Sequence, residues 1–547
     1  MVLLVRRSAA GQQWIYQKFI DIGLESYVQN FTVNLPLALY QSYSGSNVYG
    51  VVRAARGSSS ESIVVSVPYA PHSVGAVSLV LAVAAHCREQ IYWAKDLIFV
   101  IAEHSEVGIQ AWLSAYHDTP IEGLKTSGLS ARAGSIQAAV ALEIRDGGNS
   151  FTHANVKFNM INGQLPNLDL VNLAIKMVQK EAMEPTLFDN QDYWDAFSYK
   201  GYLRSLHTTL KQLVAQASGR PNGLHSLFGQ YGIEALTVQP YSKGRRTRSA
   251  AGFVEVGRVV ESMLRSVNNL LERFHQSFFF YFLPSTGRYV SIGLFMPAVG
   301  LLLLAPLLKS WILWVEVSER AAFQSDGSQS ETSSKDVQVI DYSLLSLLPF
   351  LAMAHMSGLA VYYLPTFFTL ILPPDSDQFF AGAAGCMIAF AAFPFLLARK
   401  MNSGKGSQLK LHPDLLRCVS LIELGLVIGV QSVLNFGLGF SLALTWIPIC
   451  MLAVPSNTKV AFVLRSAGLM LLNPLVTCFL WHLAESVLLG TQSVSLYPCY
   501  TATKLTLLSV VADSHLYGSI SLALISFCLF PLWLLFWTLA QQKSAGI

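Results

Sequence analysis

Residues 289–315 read YVSIGLFMPAVGLLLLAPLLKSWILWV, and at this run the chain changes character. The run is longer than the ~20 apolar residues that a helix needs to cross the roughly 30 Å hydrocarbon layer of a bilayer. Lipid offers no partner to backbone N–H and C=O groups, so such a run must be helical. The sequence after it stays apolar and the sequence before it does not, which predicts a soluble domain followed by a membrane-embedded half.

The C-terminal half contains about seven apolar segments of this kind. They are Tyr289–Val315, Ser343–Thr369, Phe379–Ala398, Leu416–Phe436, Leu438–Val454, Ala461–Leu489 and Leu516–Ala540. Only Gly437 separates the fourth from the fifth, so these two could instead form one broken or re-entrant element. We predict an all-α multispan transmembrane bundle over residues 289–540. A polar, Ser-rich loop at 316–342 is predicted to be disordered and cytosolic.

The distribution of basic residues predicts the orientation in the membrane, because short cytosolic loops are enriched in Lys and Arg. The loop after the third segment carries Arg399, Lys400, Lys405 and Lys410. The connection 373–378 carries Asp375 and Asp377 and no basic residue. The tail 541–547 is therefore predicted to be cytosolic and the soluble domain to lie across the membrane. Asn30 opens an Asn-Phe-Thr glycosylation sequon on that non-cytosolic side.

The soluble half alternates short Val- and Ile-rich runs with stretches of helical apolar spacing. The predicted strands are Val48–Ala54, Ser62–Val67, Asp96–Ala102, Ala138–Ile144, Val156–Met160 and Ile233–Val238. The predicted helices are Val74–Arg88, Ile109–His117, Asn167–Lys180, Tyr202–Ala217 and Phe253–Phe274. This alternation predicts one α/β domain at residues 40–270, with a mostly parallel sheet flanked by helices. Cys87 is the single cysteine of this half, which excludes a disulfide framework within it.

Ionisable side chains follow two of the predicted strands, where active residues of parallel sheets usually lie. Glu103 and His104 follow the strand Asp96–Ala102, and Glu143 lies at the end of Ala138–Ile144. His225 lies in a loop before Ile233–Val238. A glutamate, a histidine and a second carboxylate at one sheet edge are the ingredients of a zinc hydrolase site. The alternative is that these are solvated loop residues at a domain surface.

Several unusual stretches resemble the Gaa-type family of GPI-anchor attachment proteins, a subunit of the GPI transamidase of the endoplasmic reticulum. They are SNVYG at 46–50, QIYWAKD at 90–96, AWL at 111–113, NGQLPNLDL at 162–170, ASGRP at 217–221, LLER at 270–273 and HQSFF at 275–279. The resemblance implies a luminal domain similar to zinc aminopeptidases. It also implies a transmembrane helix before that domain, which segment 1–39 does not contain, so we expect that this helix has been lost.

Compared with zinc aminopeptidases, Glu103 occupies the position of the catalytic base and His104 replaces the metal-ligand glutamate that follows it. Ser78 stands where the carboxylate that bridges two metals is expected. Glu143 and His225 match two further ligand positions. Because a two-zinc site depends on its bridging carboxylate, the resemblance implies an exopeptidase fold without peptidase chemistry and without a bound metal. A single-metal site that uses His225 and Glu143 remains the alternative.

The resemblance also implies the function. The chain is expected to be a non-catalytic subunit, without a cofactor, that binds the GPI lipid and presents it for attachment to proprotein C-termini. The catalytic cysteine is then expected on another, cysteine-protease-like subunit. No nucleic-acid partner is expected for a luminal domain. The alternatives are an active membrane-tethered zinc metallopeptidase and, less favoured, a lipid scramblase or transporter.

Two segments are predicted to meet lipid. The last span contains Pro531, Trp533 and Trp537, and a proline bend surrounded by large rings can form a groove for acyl chains. The family resemblance implicates this span in GPI recognition, and the alternative is a bend that serves only helix packing. Residues 271–288 form an aromatic segment between two arginines, for which we predict a short helix lying on the luminal surface of the membrane.

Overall fold

The computed structural model of the chain describes residues 8–34, 42–144, 148–243, 251–274, 279–327, 344–373, 376–403, 412–454, 458–488 and 496–542. It contains two compact units. The first consists of Met1–Leu35, Tyr40–Phe295 and His515–Ser519. The second consists of Pro36–Leu39, Met296–Ser514 and Ile520–Ile547. Most of the predicted loop 316–342 and of the tail 541–547 lies outside the described residues.

The first unit is built on a nine-stranded sheet with the strand order β5-β1-β2-β4-β3-β6-β9-β7-β8. Its strands are β1 (Glu25–Val33), β2 (Tyr43–Val52), β3 (Glu61–Tyr69), β4 (Asp96–Glu103), β5 (Leu124–Thr126), β6 (Ser135–Leu142), β7 (His153–Lys157), β8 (Glu184–Thr186) and β9 (Glu234–Tyr241). The centre, β4-β3-β6-β9, is parallel. On one side β2, β1 and β5 pair antiparallel, and on the other β7 pairs antiparallel with β9. At that edge β8 pairs parallel with β7. The predicted α/β class is confirmed, and the sheet is mixed rather than mostly parallel.

Helices flank this sheet. They are α1 (Ser8–Ile22), α2 (Val74–Glu89), α3 (Glu106–Tyr116), α4 (Leu168–Lys180), α5 (Tyr199–Ser218) and α6 (Phe253–Asn268). Helix α6 packs on α2 and α4, and its Val256, Val259 and Met263 are buried with the core strands. Burial of these apolar faces is the main stabilising contribution to the domain.

The domain begins earlier than the predicted residue 40. Strand β1 pairs along its whole length with β2, and Ile15 and Phe19 of α1 are buried in the core cluster of the domain. The sequence of β1, ESYVQNFTV, carries polar residues that hide its strand character. Its buried Gln29 donates to the carbonyl of Ala111, and Asn47 of β2 donates to Gln29. Segment 1–39 therefore contributes structure to the domain.

A two-stranded hairpin, β10 (Tyr281–Ser285) and β11 (Arg288–Ser291), follows the domain. The surface helix predicted within 271–288 is therefore wrong for residues 281–288. Tyr281, Phe282 and Leu283 are buried, because β10 packs against α5 and Tyr281 donates its hydroxyl to the carbonyl of Pro166. Residues 275–278, which belong to the same predicted segment, lie outside the described residues.

The second unit is helical. Its helices are α7 (Ile292–Gly327), α8 (Leu348–Thr369), α9 (Asp377–Ser403), α10 (Pro413–Leu434), α11 (Phe436–Met451), α12 (Lys459–Leu471), α13 (Pro474–Leu488), α14 (Leu496–Tyr517), α15 (Ser521–Leu524) and α16 (Phe530–Ala540), with a π-helical turn at Ile525–Leu529. The start of α7, up to Phe295, and the end of α14, from His515, belong to the first unit. By length and composition, three described helical segments can cross a membrane: Ile292–Phe323, Pro413–Leu434 and Ser521–Ala540. A fourth is possible if α12 and the first part of α13, bent by 78°, count as one span.

Three details differ from the sequence-based predictions. Helix α7 continues through residues 316–327, which were predicted to be disordered, and Arg320 there pairs with Asp414 at 3.1 Å. The predicted span Ala461–Leu489 breaks between α12 and α13, where the Asn473 side chain accepts from the N–H of Leu475. Helix α14 was not predicted, because Thr, Ser, Lys, Asp and His interrupt its apolar pattern.

Helices α10 and α11 form a hairpin, so this pair is not one broken span, and the alternatives that stay open are two spans and a re-entrant element. Asn435 ends α10 and caps α11 by accepting from the N–H of Leu438. At the far end, Arg417 donates to the carbonyl of Met451. Near the turn the helices touch so closely that a Cβ on Gly439 would lie 2.4 Å from the Cα of Ser432. They are two antiparallel helices joined by a tight turn.

Candidate functional site

The connection from β4 to α3 places two glutamates in different surroundings. His104 and Ser105 both have positive φ angles, 57° and 49°, which non-glycine residues rarely adopt. The chain turns sharply here, with Glu103 ending β4 and Glu106 starting α3. Strained backbone of this kind persists where the surrounding structure holds it in place.

Glu103, the predicted remnant of a catalytic base, is bound by the N-terminal part of the domain. Its Oε2 accepts from the backbone N–H of Ser46 and from the Nε2 of Gln12, both at 2.7 Å. His104 lies against aromatic rings, with its centroid 4.6 Å from that of Tyr43 and 6.3 Å from that of Phe31. Neither residue is among those that line the neighbouring cavity.

That cavity, of about 280 Å³, lies beyond the carboxyl ends of β3 and β6. Its lining includes His72, Ser105, Glu106, Glu143, Leu224 and Gln239. The structure thus brings Glu143 together with Glu106. Glu106 follows strand β4, close in sequence to the predicted residues Glu103 and His104, but it was not among the predicted site residues. Burial and the nearby charge of Glu143 raise the pKa of Glu106, whereas Lys157 opposes the shift. The site is a pocket that holds two carboxylates.

Glu143 is already paired. Its Oε2 accepts from the Nζ of Lys157 at 2.8 Å and from the Nε2 of Gln239 at 3.0 Å. Both members of the ion pair are largely shielded, with exposed side-chain fractions of 19% for Glu143 and 18% for Lys157. Gly223 leaves room for this carboxylate, because a Cβ there would lie 2.8 Å from its Oε1. The ammonium group of Lys157 therefore supplies the positive charge that this carboxylate requires.

His225 is buried with both ring nitrogens engaged. Its Nδ1 lies 2.7 Å from the Oγ1 of Thr237, and its Nε2 lies 3.1 Å from the carbonyl oxygen of Asn159. A carbonyl can only accept, so Nε2 carries the proton and Nδ1 accepts from the threonine hydroxyl. Burial, reinforced by the charge of Lys157, lowers the pKa of His225 to about 3. His225 is therefore a neutral residue of the domain interior.

These residues do not fit the zinc site that the sequence resemblance to zinc aminopeptidases suggests. Ser78 is exposed, donates to the carbonyl of Val74 at 2.8 Å and does not line the cavity. The proposed single-metal pair fares no better, because Glu143 is bound by Lys157 and His225 has no unshared nitrogen lone pair. Within the described ranges, no group of three or more His, Cys, Asp or Glu side chains is arranged to hold a metal ion.

The predicted lipid-binding residues lie in the last span of the helical unit. Pro531 and Trp533 are buried, and Trp537 is partly exposed. The indole N–H of Trp533 donates to the carbonyl of Leu469, and that of Trp537 donates to the carbonyl of Ala391. Their rings stack with centroids 5.5 Å apart. Pro531 follows the π-helical turn and faces Gly358 of α8, so it contributes to helix packing.

Asn30, the predicted glycosylation site, lies in the middle of β1 with its side chain exposed. Its backbone N–H donates to the hydroxyl of Ser127 at 2.9 Å. An exposed side chain is the minimum that the attachment of a glycan requires. Glycosylation of Asn30 stays a prediction.

A family model described as Gaa1-like, GPI transamidase component, matches residues 44–537. The chain belongs to this family. The resemblance inferred from the sequence motifs is confirmed, and with it a place in GPI-anchor biosynthesis. The apolar helices of the second unit agree with a membrane protein.

Two relatives in the Gaa1-like family extend the comparison. The chain is 27% identical to the GPI transamidase component gaa1 of Schizosaccharomyces pombe over 481 aligned residues. The alignment covers 85% of this chain and 75% of that protein. It is 30% identical to the GPI transamidase component GAA1 of Saccharomyces cerevisiae over 291 aligned residues. That alignment covers 51% of this chain and 44% of that protein.

Solved structures similar to the chain include zinc-dependent enzymes. A putative zinc-dependent exopeptidase from Bacteroides vulgatus has a TM-score of 0.31 at 12% identity and covers 47% of this chain and 85% of its own. A zinc aminopeptidase from Bacillus subtilis has a TM-score of 0.26 at 11% identity and covers 43% and 55%.

Proposed function

We propose that the chain is a non-catalytic subunit of the GPI transamidase, which binds the GPI lipid and presents it for attachment to proprotein C-termini. Membership of the Gaa1-like family supports the assignment to this complex. In this proposal the chain resides in the endoplasmic reticulum membrane, with its α/β domain in the lumen and its C-terminus in the cytosol. Its partners are the other transamidase subunits, among them a cysteine-protease-like catalytic subunit.

One observation carries the non-catalytic role. The carboxylate of Glu143, which would have to bind a metal or move a proton, is bound by Lys157 at 2.8 Å. A general base must be free to reach the proton that it abstracts, and a metal ligand must offer a lone pair. Glu143 is committed to an ammonium group, and His225 to Thr237 and Asn159. The cavity has room for a small polar group, but Glu143 and the neighbouring His225 are already bonded to other residues of the domain.

The domain also offers no reactive cysteine among its described residues. Cys87 is fully buried in α2, and burial together with the charge of Glu261 raises the pKa of its thiol to about 12. The thiolate is the reactive form of cysteine, and it is scarcely populated at neutral pH with such a pKa. The cysteine that carries the proprotein as a thioester therefore belongs to another subunit in this proposal.

The contribution of this chain is then proximity. Holding the amine of the GPI ethanolamine phosphate near the thioester converts an encounter between two molecules into a reaction within one complex. The last span supports lipid binding through its stacked aromatic residues, of which Trp537 is the partly exposed member. Pro531 and Trp533 act in the proposal by fixing the helix that presents Trp537, since both are buried in the helical unit.

Photocrosslinking with a GPI analogue tests this proposal in the assembled complex. A benzophenone amino acid replaces Trp537 in one variant and Leu426 in a matched control. Leu426 is 62% exposed on α10, so we expect it to face bulk lipid. We expect the GPI analogue to label position 537 well above position 426, and excess unlabelled GPI to compete only at 537. Equal labelling at both positions contradicts the lipid site. Stoichiometric zinc together with peptide turnover by the purified chain contradicts the non-catalytic role.

A further inference from the structure

An exposed aromatic surface lies on the α/β domain, beside the residues that lead into α7. It is formed by Trp194, Phe197, Tyr199 and Tyr202, in the loop before α5 and in the first turn of that helix. Their exposed fractions are 88%, 95%, 76% and 63%. We call these four residues the aromatic edge. Large rings exposed side by side mark a surface that meets an apolar partner.

The aromatic edge is fixed to the hairpin β10–β11. The guanidinium carbon of Arg288 lies 5.4 Å from the centroid of the Phe197 ring, and the same side chain donates to the carbonyl of Ala196. Asp192 accepts from both the N–H and the hydroxyl of Thr286, at 2.9 and 2.6 Å. The loop that presents the rings is therefore tied to the chain segment just before α7.

A second link joins helix α5 itself to the hairpin. The buried side chain of Gln212 donates to the carbonyl of Tyr281 at 3.1 Å and accepts from the N–H of Leu283 at 2.8 Å. The amide thus bonds to the backbone of β10 in the way that a neighbouring strand does. Further along the hairpin, Phe282 packs edge-on against Phe295 in the first turn of α7, with centroids 5.1 Å apart. Helix α5 cannot shift relative to the start of α7 without breaking these contacts.

The height of the aromatic edge follows from this attachment. Arg288 precedes Ile292, the first residue of a 32-residue candidate membrane span, by four positions, so the two residues are at most ~14 Å apart. The span carries no charged residue before Lys309, so its apolar part starts at Ile292. Phe197 lies against Arg288, and the aromatic edge is therefore close to the level at which the chain enters the bilayer.

The charges around the aromatic edge favour the surface of a lipid bilayer as its partner. Helix α5 has the sequence YKGYLRSLHTTLKQLVAQAS, which contains Lys200, Arg204 and Lys211 and no acidic residue. Of the nearby acids, Asp192 bonds to Thr286, and Asp195 accepts from the N–H of Phe197. Aromatic rings flanked by cations favour the headgroup layer, where the rings reach the acyl boundary and the cations meet phosphates. A bilayer offers both within a few ångströms.

We infer that the aromatic edge inserts into the headgroup layer of the membrane that α7 crosses, and so anchors the α/β domain to the bilayer at a second point. The partner is the lipid surface, and the inference does not depend on the proposed GPI-binding role. It is separate from the interfacial role predicted for residues 271–288, of which Tyr281, Phe282 and Leu283 are buried in β10.

Spin-label accessibility in the full chain tests this inference. A spin label is attached through a reactive non-natural amino acid at position 197, and at position 91 in the control. Ile91 is also an exposed apolar residue, at 69%, and lies in the loop between α2 and β4. The protein is reconstituted in phosphatidylcholine nanodiscs, and collision rates are measured with oxygen, which concentrates in lipid, and with a water-soluble nickel chelate.

We expect the ratio of oxygen to nickel collisions to be several-fold higher at position 197 than at position 91, and to fall to the value of position 91 when Trp194 and Tyr199 are replaced by serine. Both labelled sites are exposed, so the labels do not disturb the core. An aqueous ratio at 197 equal to that at 91 overturns the inference. Low collision rates with both reagents, which indicate burial against another polypeptide, overturn it as well.

Discussion

The Nζ of Lys157 lies 2.8 Å from the Oε2 of Glu143, beside the cavity at the carboxyl ends of β3 and β6. An ion pair shielded from water is costly to break on one side only, because the remaining charge stays buried without a partner. The pair therefore explains how the domain keeps a largely shielded carboxylate at this position. It also makes the non-catalytic reading accessible to experiment.

Removing only the lysine should destabilise the α/β domain. In Lys157→Met, the carboxylate of Glu143 loses its cation, and we expect a loss of about 1–3 kcal/mol. The double variant Glu143→Gln with Lys157→Met should recover most of this loss, because no buried charge remains. Thermal unfolding of the detergent-solubilised chain measures both. GPI attachment by the complex should persist in the double variant, and a stable but inactive double variant would show that Glu143 takes part in chemistry.

The stability of the segment around His225 should depend on pH. The pKa of His225 is about 3 in the folded domain, against 6.5 for an unperturbed histidine. Between these values only the unfolded chain binds the proton, so stability falls as the pH drops from 6.5 towards 3. The slope is at most about 1.4 kcal/mol per pH unit. Hydrogen exchange of residues 224–231 in the full chain measures it. His225→Gln should remove this component, and an unchanged slope would assign it to another group.

Close packing at Gly358 should be essential to the helical unit. A Cβ at Gly358 would lie 2.2 Å from the carbonyl oxygen of Ser526 and 2.7 Å from the Cγ of Pro531. Backbone must move to admit it, and we expect Gly358→Ala to cost about 1–3 kcal/mol. Gly385→Ala is the matched control, because a Cβ there meets nothing within 4 Å. Thermal inactivation of the purified chain compares them, and equal midpoints would contradict this packing.

Glycosylation should report on the side of the membrane that holds the α/β domain. Asn30 is exposed, and Ser58→Asn creates a second sequon in the exposed loop before β3. If the domain is luminal, digestion with endoglycosidase H should increase the gel mobility of the wild-type chain, and more so that of Ser58→Asn. Asn30→Gln should abolish the shift in the wild-type background. A domain in which neither sequon receives a glycan would contradict the luminal orientation.

The sequence predicted the elements whose burial is uniform. Strand β3, buried along nearly all its length, and helix α6, with its strong apolar face, were both recognised from residue spacing. Strand β1 and helix α14 were missed, because their polar residues break the pattern. In β1 the buried Gln29 is satisfied by tertiary partners, Asn47 and the carbonyl of Ala111. Local sequence patterns do not predict such tertiary hydrogen bonds.

The candidate site shows the same limit. Glu143 and His225 were selected from their places beside strands, and the structure puts both near the cavity. The pairing of Glu143 with Lys157 depends on β6 and β7 lying on either side of β9, and sequence spacing does not determine that arrangement. Which of the two glutamates, Glu103 or Glu106, lines the cavity depends on the turn at His104 and Ser105. The positive φ angles of this turn place the two carboxylates against different neighbours.

The hydrogen bonds of Gln212 have a consequence for biosynthesis. Its buried amide is satisfied only by the backbone of β10, whose Tyr281 lies 69 residues further along the chain. A ribosome must therefore release the hairpin before the helix around Gln212 can settle, and by then the apolar run that begins at Ile292 is about to emerge. Completion of the domain and entry of α7 into the membrane are thus nearly simultaneous events, coupled by the order of synthesis.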